Sequence, residues 1–288
     1  MAYRIDAART ERAVSGEEPL DASIVLVGCG GTGSFLAEAL GRLLLDRRAA
    51  LCLVDPDRVG PENVVRQAFD RAEIGRFKSE VLAQRLARRF GCEVGYGIVP
   101  YARELHAAIF QAPARLRLLV GAVDNASARQ ALAATLEPGG WARGVPIALG
   151  AIWWLDAGNG RNSGQLLLGN PVRPEQLRGA FTHGRCTALP APSMQRPDLL
   201  AASPEPVPRP RLDCAAAVAR GEQGPTINQV VAAMAASFIE KLLDDTCSWM
   251  ASYFDLDDGL LRCVPAEPRT VAALTGLHVQ AVAPTRRR

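Results

Sequence analysis

No two cysteines in this chain stand in a CxxC spacing, and the seven present are scattered and odd in number. That usage argues against a disulfide framework and against a structural zinc site, so no zinc is expected. It fits reduced thiols in a cytoplasmic setting. No apolar run approaches the ~20 residues needed to cross a bilayer, which leaves no membrane partner to expect. The stretch from Met1 to Leu20 is too charged to read as a secretory leader. A net charge of +3 is too small to imply a nucleic-acid partner, and Arg286-Arg287-Arg288 reads as a frayed basic end. His106 and His278 have no visible partners in the sequence.

What is present is ordinary globular material: 288 residues, 48% hydrophobic and 22% charged. That is enough for one large domain or two small ones with ample core. Ser23 to Val27 is a short apolar run that reads as a buried parallel strand, followed by glycines and then by a helical apolar stripe from Gly33 to Leu45. Ala50 to Val54 is the next strand. The alternation continues with a helix over Lys78 to Phe90, an extended Glu93 to Val99, a helix over Arg103 to Ala112 and a strand at Leu116 to Val120. A helix at Ala126 to Leu136 and a strand at Val145 to Leu149 complete it. Strands alternating with helices predict a doubly wound, mainly parallel α/β sheet.

After about Gly150 the grammar changes. Ile152 to Leu168 reads as a hairpin turning near Asp156 to Asn162. Residues 171–212, rich in proline, predict a long crossover loop. Thr226 to Leu243 is an amphipathic helix, and Trp249 to Val264 a second hairpin, which extends the sheet with antiparallel strands.

The segment Gly28-Cys29-Gly30-Gly31-Thr32-Gly33 joins the first strand to its helix. Glycines there let backbone N–H groups approach a phosphate, and the helix end adds positive potential. Asp55 ends the second strand, 22 residues after Gly33, where an acid can accept from ribose hydroxyls. These features fit an adenine nucleotide and leave NAD and ATP both open. The polar stretch after Asp55 favours ATP. Asp57, Asn63, Arg66, Gln67 and Lys78 crowd within it, and a triphosphate with its departing pyrophosphate offers the charge that such a cluster can neutralise. Asp124 comes after the strand at Leu116 to Val120, at the carboxyl end of the sheet, where one carboxylate suits Mg²⁺ beside phosphate oxygens. An N-cap for the next helix is the structural alternative for Asp124.

The runs GCGGTG, DPDRVGPENVVRQAF, EIGRFK and VDNA together resemble the ThiF/MoeB/ubiquitin-activating superfamily, across roughly the first half of the chain. That resemblance implies a Rossmann-like adenylation fold, with residues 1–150 as the ATP-binding half and 151–288 as a C-terminal half of one continuous domain. It implies an ATP site at Gly28, Gly30, Gly31, Gly33, Asp55, Asp57, Asn63, Arg66, Gln67 and Lys78, with Asp124 and Asn125 at Mg²⁺ and nucleotide. The stretches Asp156 to Gln165 and Ile227-Asn228-Gln229 look like the ThiF-related member of the PRTRC plasmid cassette. This likeness implies a small ubiquitin-like protein as partner, whose C-terminal carboxylate is adenylated.

By the same resemblance Cys214, ahead of the long helix, and Cys186, in the crossover loop, are candidate nucleophiles for a subsequent thioester step. Small buried hydrophobes are the alternative for both. The superfamily's N-terminal arginine, which reaches into a partner subunit's site, has only Arg9 and Arg12 as candidates here; either would require a homodimer. An NAD(P)-dependent oxidoreductase and a catalytically idle ATP-binding scaffold of the cassette stand as competing readings.

Overall fold

A computed structural model of the chain describes residues 3–7, 18–136, 141–142, 145–146, 152–201 and 226–284. Its centre is an eight-stranded sheet. After the two-residue β1 (Arg4–Ile5), the chain builds β2 (Leu20–Val27), α1 (Gly31–Leu43), β3 (Ala49–Val54), α2 (Lys78–Phe90) and β4 (Gly95–Gly97). It goes on through α3 (Arg103–Ile109), β5 (Ala114–Gly121) and α4 (Ala126–Thr135). β6 (Trp141–Ala142) and β7 (Val145–Pro146) pair only with each other. β8 (Ile152–Asn159) and β9 (Ser163–Gly169) form a hairpin; β10 (Phe181–Thr182) and β11 (Arg185–Cys186) are short, and β12 (Trp249–Asp255) and β13 (Leu260–Pro265) form the last hairpin.

The sheet order is β13-β12-β9-β8-β5-β2-β3-β4. β4, β3, β2, β5 and β8 run parallel, and β9, β12 and β13 continue the sheet antiparallel. The chain leaves β2 toward β3 on one side and later returns to β5 on the other. A crevice therefore opens at the carboxyl ends of β2 and β5, where such sheets take their ligands. β2 and β5 are buried on both faces, which is why their sequences read as continuous apolar runs rather than alternating ones. α1 packs against the long helix Ile227–Leu243, whose Val231, Ala235, Phe238 and Ile239 are fully buried.

Two expectations are corrected. Of the strand expected at Val145 to Leu149, Val145–Pro146 pairs with Trp141–Ala142 and not with the main sheet, and 147–151 lie outside the described residues. The parallel neighbour of β5 is Ile152–Asn159, the first arm of the hairpin, in register from Arg117↔Ile152 to Gly121↔Asp156. Its Trp153, Trp154 and Leu155 bury far more apolar surface than a Val-Pro-Ile-Ala-Leu run could, so the heavier segment takes the central place. The crossover loop is also folded in its first part. Leu177, Phe181, Cys186 and Leu189 are buried, and Gln195 Nε2 donates to the carbonyls of Leu168 (2.9 Å) and Pro190 (2.8 Å). Residues 202–225 lie outside the described residues.

Candidate active site

The glycine loop leaves β2 through Gly28, whose φ of +90° is a conformation that favours glycine. A Cβ on Gly28 would stand 2.4 Å from the Ala122 carbonyl oxygen, and one on Gly33 would stand 1.8 Å from the Gly28 oxygen. The loop is thus pressed against the end of β5 on one side and folded on itself on the other. Side chains are excluded, and backbone N–H groups are what remains to face a ligand. α1 begins at Gly31, so the loop and the positive end of a 13-residue helix coincide.

Asp55 fixes the far side. Its Oδ2 accepts from the Cys29 N–H at 2.6 Å and its Oδ1 from the Asp57 N–H at 2.8 Å. Burial raises its pKa above the usual carboxylate range, opposed by those two backbone donors and by the Lys78 charge. A carboxylate has about four acceptor positions, so two remain for ribose hydroxyls. The next segment is tied down on α2: Arg58 lies 3.8 Å over the Phe77 ring, and Arg85 reaches both Glu73 carboxylate oxygens and the Ala68 carbonyl. Ser34 Oγ donates to the Gly31 carbonyl and accepts from the Ala68 N–H, which couples the glycine loop to Gln67 and Ala68.

A cavity of about 710 Å³ occupies the crevice, within the usual size of small-molecule sites. Gly28, Gly30 and Gly31 line it, as do Asp55, Asp57, Asn63, Arg66, Gln67 and Lys78, together with Asp124 and Asn125. Of the residues expected at a nucleotide, only Gly33 is absent from the lining; it serves the turn. Lys78 is buried, and its Nζ lies 3.1 Å from Asp57 Oδ2. The Asp57 side chain is 69% exposed, so that ion pair is weak and a phosphate can take its place at little cost. Asn63 Oδ1 accepts from the Gly60 N–H at 2.8 Å, giving it a loop-fixing task at the cavity wall.

Two buried polar atoms of the lining have no partner among the described residues: Gln67 Oε1 and Asn228 Nδ2. Buried polar groups are ordinarily paired, so orphans on a cavity wall mark where a polar ligand belongs. Together with a cradle that any Cβ would fill, they fit a nucleoside phosphate. The apolar residues of the lining, among them Val54, Pro100, Tyr101, Ala128 and Ala131, suit a purine base. Tyr101 is held there by a 2.7 Å hydrogen bond between its hydroxyl and His106 Nδ1. Burial lowers the His106 pKa to about 4, so the ring is neutral near pH 7.

Asp124 is exposed at the cavity mouth and accepts from Asn125 Nδ2 at 3.2 Å. The N-cap of α4 is Asn125, whose Oδ1 accepts from the Ala128 N–H at 2.8 Å; Asp124 does not serve as that cap. Among the described residues no three His, Cys, Asp or Glu side chains cluster as a metal site. A single carboxylate with phosphate oxygens is nevertheless a donor set that Mg²⁺ accepts.

Cys186 is a correction. It is fully buried on β11, does not line the cavity, and its Sγ–H donates to the Ala188 carbonyl. Burial pushes its thiol up to about 12, so it offers no thiolate at neutral pH. Cys214, Arg9 and Arg12 lie outside the described residues.

Sequence reasoning assigned no role to Asn159 and Asn228, yet both line the cavity and bond to each other. A signal existed. Asn228 sits on the apolar stripe of the long helix with Val231, Ala232 and Ala235, where a polar residue is out of place unless it has a task.

A profile described as "ThiF family" matches residues 14–257. Over 67 residues, 23% of this chain and 24% of the relative, the sequence is 43% identical to the tRNA threonylcarbamoyladenosine dehydratase of Escherichia coli (strain K12). A structure of E. coli MccB with MccA-N7isoASN is similar over 86% of this chain and 65% of its own, with TM-score 0.54 and 17% identity. One of E. coli MccB with ATP is similar over 85% and 64%, with TM-score 0.53 and 16% identity. The chain thus spans just under two thirds of the MccB chains and about a quarter of the dehydratase, and the MccB likeness is one of fold.

Proposed function

The chain belongs to the ThiF family, and from that premise we propose that it adenylates the C-terminal carboxylate of a small ubiquitin-like protein, consuming ATP and releasing pyrophosphate. The observation that carries this reading is a single cavity joining the glycine loop to Arg66, Gln67, Lys78 and Asp124. One cation near a diphosphate has an ordinary dehydrogenase use; two cations facing a carboxylate across the phosphate site suit pyrophosphate departure.

In this reading an acceptor carboxylate oxygen attacks the α-phosphorus. An O–P bond forms, the α–β bridging P–O bond breaks, and the electron pair leaves with pyrophosphate. Positioning and electrostatics do most of the work, because the step asks no covalent bond of the protein. Lys78, drawn from Asp57, and Arg66 offset the charge that grows on the leaving oxygens. Mg²⁺ held through Asp124 would add further neutralising charge. Gly28 to Gly31 and Asp55 hold the loop and ribose in place.

The homodimer with an arginine supplied across its interface, the cytoplasmic setting and the PRTRC cassette belong to the same proposal. So does thioester transfer, for which Cys214 is the remaining one of the two candidate nucleophiles. Among the described residues no helix is long and apolar enough to cross a membrane. The test is pyrophosphate exchange into ATP with the ubiquitin-like protein of a PRTRC cassette as acceptor. Exchange that is lost when the acceptor's terminal carboxylate is amidated supports the reading. Absent exchange with firm ATP binding would favour an idle scaffold, and tight NAD binding without ATP binding would favour an oxidoreductase.

A further inference from the structure

The long helix belongs to the C-terminal part of the chain, far in sequence from the glycine loop, yet its first turn closes the loop's cavity. Asn228 is 1% exposed, and a Cβ on Gly31 would stand 2.5 Å from its Nδ2. The glycine at position 31 thus admits Asn228 as well as a ligand. Asn228 Oδ1 accepts from Asn159 Nδ2 at 3.1 Å and from Thr32 Oγ1 at 3.4 Å. Those two donors, one from the end of β8 and one from the start of α1, fix which way the amide points. They leave Nδ2 with two N–H groups and no partner among the described residues.

An unpaired buried donor is destabilising, and replacing it with an apolar side chain would remove the penalty. Its place on the wall of a cavity beside a phosphate-type loop is explained if a ligand supplies the acceptor. We propose that Asn228 is a positioning and specificity residue: its Nδ2 donates to a phosphate oxygen of the nucleotide seated on Gly30 and Gly31. The Asn159–Asn228–Thr32 chain then makes the C-terminal part of the protein a reader of the phosphates. The inference rests on the nucleotide reading above and extends it to residues that the glycine loop and the Asp55–Lys78 segment do not contain.

The substitution Asn228→Asp keeps the shape and keeps an oxygen to accept from Asn159 and Thr32, and it replaces the free donor with an acceptor. Asn228→Ala removes both. ATP, AMP and adenosine are titrated by calorimetry into the full-length wild type and both variants, with thermal melting of each nucleotide-free protein. A hydrogen bond to a charged group has a worth that corresponds to roughly 10- to 150-fold in affinity. The expected result is a loss of that size for ATP and AMP in both variants, larger in Asn228→Asp, with adenosine binding unchanged. Parallel weakening of ATP and adenosine would overturn the proposal, as would unchanged ATP binding in both variants. A wild type that binds no ATP would contradict the proposed function itself and this inference with it. Should Asn228→Asp melt early, Asn228→Ala carries the comparison.

Discussion

Gly28 and Gly75 adopt nearly the same backbone conformation, with φ of +90° and +89°, but in opposite surroundings. A Cβ on Gly28 would meet the Ala122 carbonyl oxygen at 2.4 Å, its carbon at 2.8 Å and Val123 Cγ1 at 3.1 Å, whereas one on Gly75 would meet nothing within 4 Å. Alanine at either position incurs the left-handed strain of about 1–2 kcal/mol. Only Gly28→Ala adds overlap with backbone, for which about 1–3 kcal/mol more is expected. At about 2–4 °C per kcal/mol, Gly28→Ala should melt roughly 2–12 °C below Gly75→Ala. The contact is with the turn that carries Asp124, so the strain falls on the site as well as on the fold. Thermal unfolding of the two variants, paired with ATP titration, checks both halves. Gly28→Ala should lose ATP binding and Gly75→Ala should keep it. Equal melting points and equal affinities would refute the view that the loop is a tightly packed phosphate cradle.

Lys78→Met should cost under about 1 kcal/mol of stability, because its partner Asp57 is mostly exposed. It should lower AMP formation by roughly 10²- to 10³-fold if the cation faces developing charge; wild-type turnover would exclude that role. Asp124→Asn should abolish Mg²⁺-dependent turnover, as chelation of the wild type should, and full activity in the variant would refute a metal role. Burial pushes the Asp156 carboxyl from 3.8 up to about 6, against the opposing pull of Arg129. Its folded form thus binds the proton more tightly than the unfolded chain. Its contribution to stability is complete below about pH 4 and falls as pH rises through about 6, by up to ~3 kcal/mol. Asp156→Asn should flatten that slope in denaturant titrations at pH 4.5 and 7, and an unchanged slope would rule the assignment out. Thioester formation, if it occurs, should survive Cys186→Ala and vanish in Cys214→Ala, as non-reducing electrophoresis of the loaded protein would show.

The parts legible in the sequence were those set by local chemistry. β2 and α1 bracket a glycine turn, and the helix expected over Lys78 to Phe90 spans those residues because its apolar spacing and the Gly91 stop are both local signals. The cavity-lining polar residues from Asp55 to Lys78 were found because they are contiguous and chemically crowded. The strand expected at Val145 had no such help: two apolar runs follow one another there, and the place beside β5 is taken by the one that carries the buried Trp153 and Trp154. Cys186 looked like a loop nucleophile because a proline-rich stretch hides how deeply β11 is packed. Asn228 carried only the weak signal of a polar residue on an apolar stripe, and its role was hidden for another reason. Its partners Thr32 and Asn159 lie 196 and 69 residues away, and only the folded chain brings them together.

The central claim is that a carboxylate attacks the α-phosphate of ATP in this cavity, and the products of that attack are distinctive. ATP labelled separately at the α and γ positions, incubated with Mg²⁺ and the ubiquitin-like acceptor, should yield α-labelled AMP or acyl-AMP and γ-labelled pyrophosphate. Labelled ADP and inorganic phosphate would contradict the account, since they would place the attack on the γ-phosphorus.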